Sequence, residues 1–273
     1  MKFGEFDVEL LSDGFFSLDP GACFGIVPRP LWSRTFRENK NGRIRMALNI
    51  PLIVGRDYSA IIDTGIGNLR EDKLSKIFEF SKERDMISEL RNFADPESID
   101  FLIHSHLHFD HFGHSLDRAE NGLLFRKASL VAQRKEFNGY RRPTDFTKGN
   151  YRSDPDALRK AKKVTVNGSA HITHEISVIL TGGHTSGHQA IIFRNGDHEM
   201  IYLGDLAPTA FHVKPSYITA IDTYPIDTLA MKKKLISKAI RDHAICIFNH
   251  DVEIPAAIIS GDVNNPKIEP VQL

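Results

Sequence analysis

Residues His104-Ser105-His106-Leu107-His108-Phe109-Asp110-His111 place four imidazoles and a carboxylate within eight positions, directly after the apolar run Phe101-Leu102-Ile103. Imidazole and carboxylate together form the borderline donor set that suits zinc, iron and similar divalent metals. A helical metal motif would space its histidines at i and i+4, on one face. His106 and His108 are two apart, so they share a side only where the backbone is extended or just leaving a strand. Asp110 and His111 are adjacent and point in different directions, so they are not expected to serve the same metal as both earlier histidines. The simplest geometry that uses all four is two metals side by side.

Three later segments repeat the pattern of a buried strand that ends in a donor. The apolar run Ile176 to Leu180 leads into Thr181-Gly182-Gly183-His184-Thr185-Ser186-Gly187-His188. Ile201-Tyr202-Leu203 ends in Gly204-Asp205, and Ile245-Cys246-Ile247-Phe248 ends in Asn249-His250-Asp251. Rigid elements of this kind hold a ligand constellation accurately.

The order of these motifs resembles the metallo-β-lactamase superfamily: an HxHxDH segment, a GH turn, a single Asp and a last His. The resemblance implies that His106, His108 and His184 hold the first metal, that Asp110, His111 and His250 hold the second, and that Asp205 bridges them. The upstream Ile61-Ile62-Asp63-Thr64-Gly65 is similar to the strand-plus-DTG segment of that superfamily, whose Asp supports the metal loop without binding metal. The motifs run from Asp63 to His250, most of the chain. Val27-Pro28-Arg29-Pro30-Leu31-Trp32, Gly204 to Ala210 and Phe248 to Asp251 are similar to the branch with quorum-quenching N-acyl homoserine lactonases and methyl parathion hydrolases. Lactonases of that branch carry a tyrosine three residues after the bridging Asp, where it polarises the lactone carbonyl. Here that position is Pro208, so either another group such as Tyr217 or Tyr224 takes over, or the substrate differs.

Charge and composition exclude several other classes. Lys+Arg and Asp+Glu both number 35, so no net field recruits nucleic acid or an anionic membrane. No basic cluster is interleaved with aromatics as nucleic-acid binding needs, and no run approaches the ~18 apolar residues of a membrane span. Lys232-Lys233-Lys234 reads as the solvated face of an amphipathic helix. Cys23 and Cys246 lie far apart and outside any CxxC, which suits a reduced, cytoplasmic setting. Cys246 is expected to be buried and inert.

The whole chain, 1–273, reads as one domain of two similar halves. Strands are expected near Asp7–Leu11, Ala47–Val54, Ser59–Asp63 and Asp100–His104 in the first half, with a helix over Lys82–Phe93 whose stripe is Met86, Ile87, Leu90 and Phe93. The second half offers strands near Ser129–Ala132, Ile176–Leu180, Ala190–Arg194, Met200–Leu203 and Ala244–Phe248, and a helix over Asp227–Asp242 with Leu235, Ile236, Ala239 and Ile240 inward. This is an α/β pattern of two packed mixed β-sheets flanked by helices, the αβ/βα sandwich that the resemblance implies. Residues 24–45 mix proline, aromatic and basic residues and are expected as a surface loop fastened by Trp32, a pocket wall or a homodimer arm. Residues 134–163 are expected as a lid or insertion with a short helix near Asp156–Lys162.

Two adjacent cations imply a hydrolase in which a bridging hydroxide attacks a lactone or carboxylic ester, with Asp110 passing a proton to the leaving alkoxide. Zinc is the default metal, and manganese, cobalt or iron suit the same donors. The expected partner is a small-molecule ester, foremost an N-acyl homoserine lactone, with the 18 phenylalanines able to supply an apolar pocket. Phosphotriester, sulfate-ester or thioester hydrolysis is the alternative on the same metals, and a structural metal module is a third reading. Among the other histidines, His104 is expected in the core, His114 in local hydrogen bonds and His188 as a brace for the loop. His171, His174, His198 and His243 are expected at the surface, and His212 is a candidate pocket residue. Asp251 either orients His250 or ends the strand.

Overall fold

Strand formation follows the apolar runs, and the two faces of each strand go to different cores. Ser59–Ile62 and Phe101–Ile103 are short and almost continuously apolar, as strands covered on both sides must be. Ala60, Ile62 and Ile103 face a second sheet, while Ile61 and Leu102 face helices that carry Met86, Leu90, Phe137 and Leu158. The computed structural model describes residues 1–68, 73–120, 122–152 and 154–273.

Two seven-stranded sheets result. The first runs Lys2–Phe3, Phe6–Leu18, Ile44–Val54, Ser59–Ile62, Phe101–Ile103, Ser129–Gln133 and Lys162–Val166 in spatial order, antiparallel at first and parallel from Ser59–Ile62 onward. The second runs Ala170–His171, Ile176–Leu180, Gln189–Asn195, His198–Tyr202, Ile245–Ile247, Ala256–Asp262 and Asn265–Pro270. Its single parallel pair joins His198–Tyr202 to Ile245–Ile247. Val8, Ile53 and Val131 of the first sheet meet Val178, Phe193 and Met200 of the second in a shared core. Short helices cover the outer face of the first sheet, and Pro225–Asp242 covers that of the second through Leu235, Ile236 and Ala239. The α/β sandwich of two mixed sheets flanked by helices is therefore the observed architecture.

Two local readings change, and one hairpin lies beyond them. The helix expected over Lys82–Phe93 is only Met86–Leu90, because Ser81 is taken by extended backbone pairing with Phe15 and Asp85 caps the helix through Ser88 N–H. Phe93 therefore falls outside the stripe and is half exposed. Lys232, expected on a solvated face, is buried: it lies at i+4 from Thr228 and i−4 from Ile236, on the inward stripe of its helix. Its ammonium donates to the Tyr217 carbonyl, and burial lowers its pKa to about 7. Lys233 and Lys234 are exposed as expected. The C-terminal hairpin Ala256–Asp262/Asn265–Pro270 has no clean period-2 signature, since its outer strand carries prolines at a sheet edge, where a missing N–H is tolerated.

The 24–45 stretch packs on its own chain: Phe24 stacks on Trp32 with ring centroids 4.8 Å apart and meets Phe36 and Phe211 edge-on or tilted. In the 134–163 stretch, of which residue 153 is outside the described residues, helices span Arg134–Arg141 and Pro155–Lys160. Both cysteines are free and buried, and burial pushes each thiol up to about 12. Among the described residues no helix is long and apolar enough to cross a membrane.

Leu102 sits with no exposure between the first sheet and its helices. Leu102→Ala should lower the unfolding free energy by about 2–5 kcal/mol through lost burial and a residual cavity, measured as a shift in the urea midpoint at unchanged slope.

Candidate metal centre

Strand direction brings the donors to one edge. Ser59–Ile62 and Phe101–Ile103 are parallel, so Asp63 and the 104–111 turn emerge together, with Asp63 N–H donating to Ile103 O. In the second sheet Ile176–Leu180 and His198–Tyr202 are each antiparallel to Gln189–Asn195, and Ile245–Ile247 is parallel to His198–Tyr202. Their three C-terminal ends, leading to His184, Asp205 and His250, therefore share one edge as well.

All seven sequence-derived candidates meet there. Three groups have ligand atoms within 4.8 Å of one another: His106, His108 and His184; His106, His111 and Asp205; and Asp110, His111 and His250. Asp205 lies between the halves. Its Oδ2 is 3.2 Å from His184 Nε2 and 3.9 Å from His106 Nε2, while its Oδ1 is 3.3 Å from both His111 Nε2 and His250 Nε2. Asp110 Oδ2 lies 3.6 Å from His250 Nε2 and 3.8 Å from His111 Nε2.

Outer hydrogen bonds determine which ring nitrogen faces inward. Nδ1 of His111 contacts Asp63, that of His184 contacts Asp222, and that of His250 contacts the Ala47 carbonyl, at 2.8, 3.0 and 2.8 Å. His106 Nδ1 is 3.1 Å from Ser105 Oγ, which itself donates to Asp63. Each of these four rings thus keeps Nε2 for the centre, the arrangement that orients metal-binding imidazoles. His108 is the exception, presenting Nδ1 at 3.1 Å from His184 Nε2.

The donor set fits divalent metal binding. His106 Nε2 is buried without a hydrogen-bond partner, an arrangement that costs free energy unless something binds it. Burial, reinforced by the neighbouring imidazoles, holds His106 and His108 well below the usual histidine range, so both are neutral donors at pH 7. Burial also opposes charge on His111, but Asp205, Asp110 and Asp63 outweigh it and raise that ring well above its ordinary value.

Supporting residues occupy the next layer. Asp63, with φ 57°, accepts from Ser105 N–H, Ser105 Oγ, His111 and the Tyr202 phenol. His188 braces the loop as expected: its Nε2 accepts from Asp205 N–H at 3.0 Å, so Nδ1 carries the proton and donates to Thr181 Oγ1 at 2.6 Å. Gly204, at φ 53°, is needed there because a Cβ would lie 2.7 Å from that Nε2. Asn249 donates to Asp205 Oδ1 at 2.8 Å. Asp222, Tyr202 and Glu136 are the polar residues that motif reading missed. Asp222 carries no spacing signal, whereas Glu136 shares the apolar face of its short helix with Phe137 and Tyr140, which marks it as buried.

Other expectations resolve individually. His104 is buried beside Phe112, and His171, His174, His198 and His243 are exposed. His212 does not line the centre, since both ring nitrogens are used by Thr209 and the Cys23 carbonyl. Asp251 does not orient His250; it accepts from the N–H groups of Ala210, Glu253 and Ile254. Tyr217 packs on Phe211 at 4.7 Å, and Tyr224 is half exposed. Among the described residues, the Tyr151 ring of the 134–163 stretch packs against a candidate ligand, 5.2 Å from the His108 ring.

This fold and these strand-end donors define a class, and the sequence profile of the metallo-beta-lactamase superfamily matches residues 47–250. The chain belongs to that superfamily. It is 22% identical over 241 residues to an N-acyl homoserine lactonase from a Bacillus species, covering 87% of this chain and 86% of the other. With the N-acyl homoserine lactonase AttM of Rhizobium radiobacter it shares 28% identity over 165 residues, 58% of this chain and 60% of that one, so over a third of that relative is unmatched. Among solved structures, a probable metal-dependent hydrolase from Staphylococcus aureus superposes with a TM-score of 0.91 at 29% identity, covering 100% of this chain and 99% of the other.

Beside the centre, His114 bridges two carboxylates, Asp117 at 2.6 Å and Asp13 at 3.1 Å. Asp13 also accepts from Ile66 and Gly67 N–H, so this bridge ties the DTG turn to the end of the metal loop. Burial works against a charged His114, but the two carboxylates outweigh it and raise its pKa to about 9. A raised folded-state pKa stabilises fully below the unfolded value of about 6.5, and that contribution is lost as pH rises through the folded value. Between pH 6.5 and 9 the protein should therefore lose stability on the order of 2–3 kcal/mol from this group. His114→Gln should start less stable and lack that loss, as read from urea unfolding across the range; an unchanged slope would refute the assignment.

Proposed function

We propose that this chain is a dinuclear metal-dependent hydrolase of lactones, with N-acyl homoserine lactones as its substrate class. The observation that carries the dinuclear reading is the partition of Asp205, one oxygen towards His184 and His106 and the other towards His111 and His250. In this reading His106, His108 and His184 would hold one ion and Asp110, His111 and His250 the other, with Asp205 serving both. Two divalent ions there, zinc by donor type with manganese, cobalt or iron suited to the same set, supply acidified water and a polarised carbonyl. Both halves of the chain contribute donors, so residues 1–273 act as one functional unit.

The remaining chemistry belongs to the side chains. Asp110 is the least buried of the seven, and its carboxylate lies 3.8 Å from His111 Nε2 and 3.6 Å from His250 Nε2. It accepts a proton from the attacking water and returns it to the alkoxide oxygen when the ring C–O bond breaks. His188 and Asn249 hold Asp205 in place during that exchange. Phe36 and Phe211, partly buried over the core of Phe16, Phe24 and Trp32, offer an apolar wall to an acyl chain, and Phe16 packs on His250 at 5.1 Å. The lactonase names of the curated relatives support this substrate class. Pro208, with Tyr217 turned onto Phe211, favours keeping phosphotriester hydrolysis as a second reading.

Chelator-sensitive ring opening of N-acyl homoserine lactones, strongest for one chain length in a pH-stat assay, is the expected result. Turnover of a phosphotriester with none of any lactone would reverse the preference. Asp110→Asn should lower kcat by about 100-fold or more with KM nearly unchanged, metal content being measured on the same samples. An unaltered kcat at full metal content would remove Asp110 from proton transfer.

A further inference from the structure

Glu136 is a carboxylate buried to 1% exposure beneath the candidate centre, and no step of the proposed chemistry uses it. It stands in the first turn of Arg134–Arg141, immediately after the strand Ser129–Gln133. Oε2 accepts from the Leu107 N–H at 3.1 Å, and Leu107 lies between His106 and His108. Oε1 accepts from the Thr185 hydroxyl, and Thr185 follows His184. The Tyr151 phenol, whose pKa burial already raises, lies close enough for the buried carboxylate to raise it further. Gly187 approaches so closely that a Cβ there would lie 2.8 Å from Glu136 N and 2.9 Å from Oε1.

One carboxylate therefore clasps two turns that come from different sheets, and each turn carries donors of the same group. Its contacts stop short of the other group: His111 is oriented by Asp63 and His250 by the Ala47 carbonyl. We propose that Glu136 is a positioning residue for the His106–His108–His184 site alone, setting the separation of His184 from the His106–His108 pair. This rests on the dinuclear reading above. Glutamine in its place keeps shape and volume but swaps one acceptor for a donor. With the amide oxygen on the Leu107 N–H, the amide nitrogen faces Thr185, whose hydroxyl must turn from donor to acceptor; with the amide reversed, it faces the Leu107 N–H.

The test is titration of the full chain with cobalt(II), following visible d–d absorption against a competing chelator. The unsubstituted protein should take up two ions. Glu136→Gln should weaken one of them by about 10–100-fold, the effect of losing an outer hydrogen bond to a metal ligand, and leave the other within about twofold. On a His250→Ala background, where the His106–His108–His184 site remains, the loss should persist; on a His184→Ala background it should vanish. Thr185→Val, which keeps the carboxylate, should show a smaller loss at the same site and serves if Glu136→Gln does not fold. Equal weakening of both ions, or of neither, would overturn the inference while leaving the dinuclear reading intact. Fewer than two ions on the unsubstituted protein would overturn both.

Discussion

The buried carboxylate of Asp63 is the constraint on which the centre depends. It sits where Ser59–Ile62 ends, in a left-handed backbone conformation that a non-glycine residue adopts at a cost. Four donors repay that strain: Ser105 N–H and Oγ, His111 Nδ1 and the Tyr202 phenol, each at 2.7 or 2.8 Å. Tyr202 belongs to the second sheet and the other donors to the 104–111 turn. A single side chain thus fixes the turn to its own strand and to the facing layer. Through Ser105 it also reaches His106, so one ring in each group of candidate ligands takes its orientation from it.

Around this anchor the centre solves an electrostatic problem. Several imidazoles packed into a dry space cannot all be charged, and isolated carboxylates there are equally costly. Burial holds His106 and His108 well below the usual histidine range, while Asp205, Asp110 and Asp63 give the space around His111 a negative field that favours positive charge there. Outer hydrogen bonds then choose the tautomer of each ring. Such an arrangement is preorganised for cations, and it explains why polar residues with no ligand role, Asp222, Asn249 and His188 among them, are buried beside it.

Much of this was legible in the residues because strands buried on both faces leave long apolar runs, and the donors stand immediately after those runs. The strands expected near Ser59–Asp63, Asp100–His104, Ile176–Leu180 and Ala244–Phe248 were marked in this way, and the helix expected over Asp227–Asp242 by its inward apolar stripe. What misled was competition between local pattern and distant partners. The Lys82–Phe93 stripe looks helical, yet Ser81 pairs with Phe15, some 66 residues earlier, and only Met86–Leu90 coils. Lys232 looks solvated among three lysines, but its place one turn before Ile236 commits it to the core, where the Tyr217 carbonyl receives it.

The sequence by itself determined the donor types, their order along the chain and their attachment to strand ends, because these depend on local composition and on the period of the backbone. It also carried the expectation that His106 and His108 share a side just past a strand end, and both stand in the turn after Phe101–Ile103. Tertiary structure alone decided which donors face one another, that Asp205 turns one oxygen to each group, and that Glu136 and Asp222 lie against them. Those facts come from the pairing of His198–Tyr202 with Ile245–Ile247 and from the packing of one sheet on the other. Contacts between residues dozens of positions apart leave no trace in spacing, since they are selected by the burial of two sheet faces against each other.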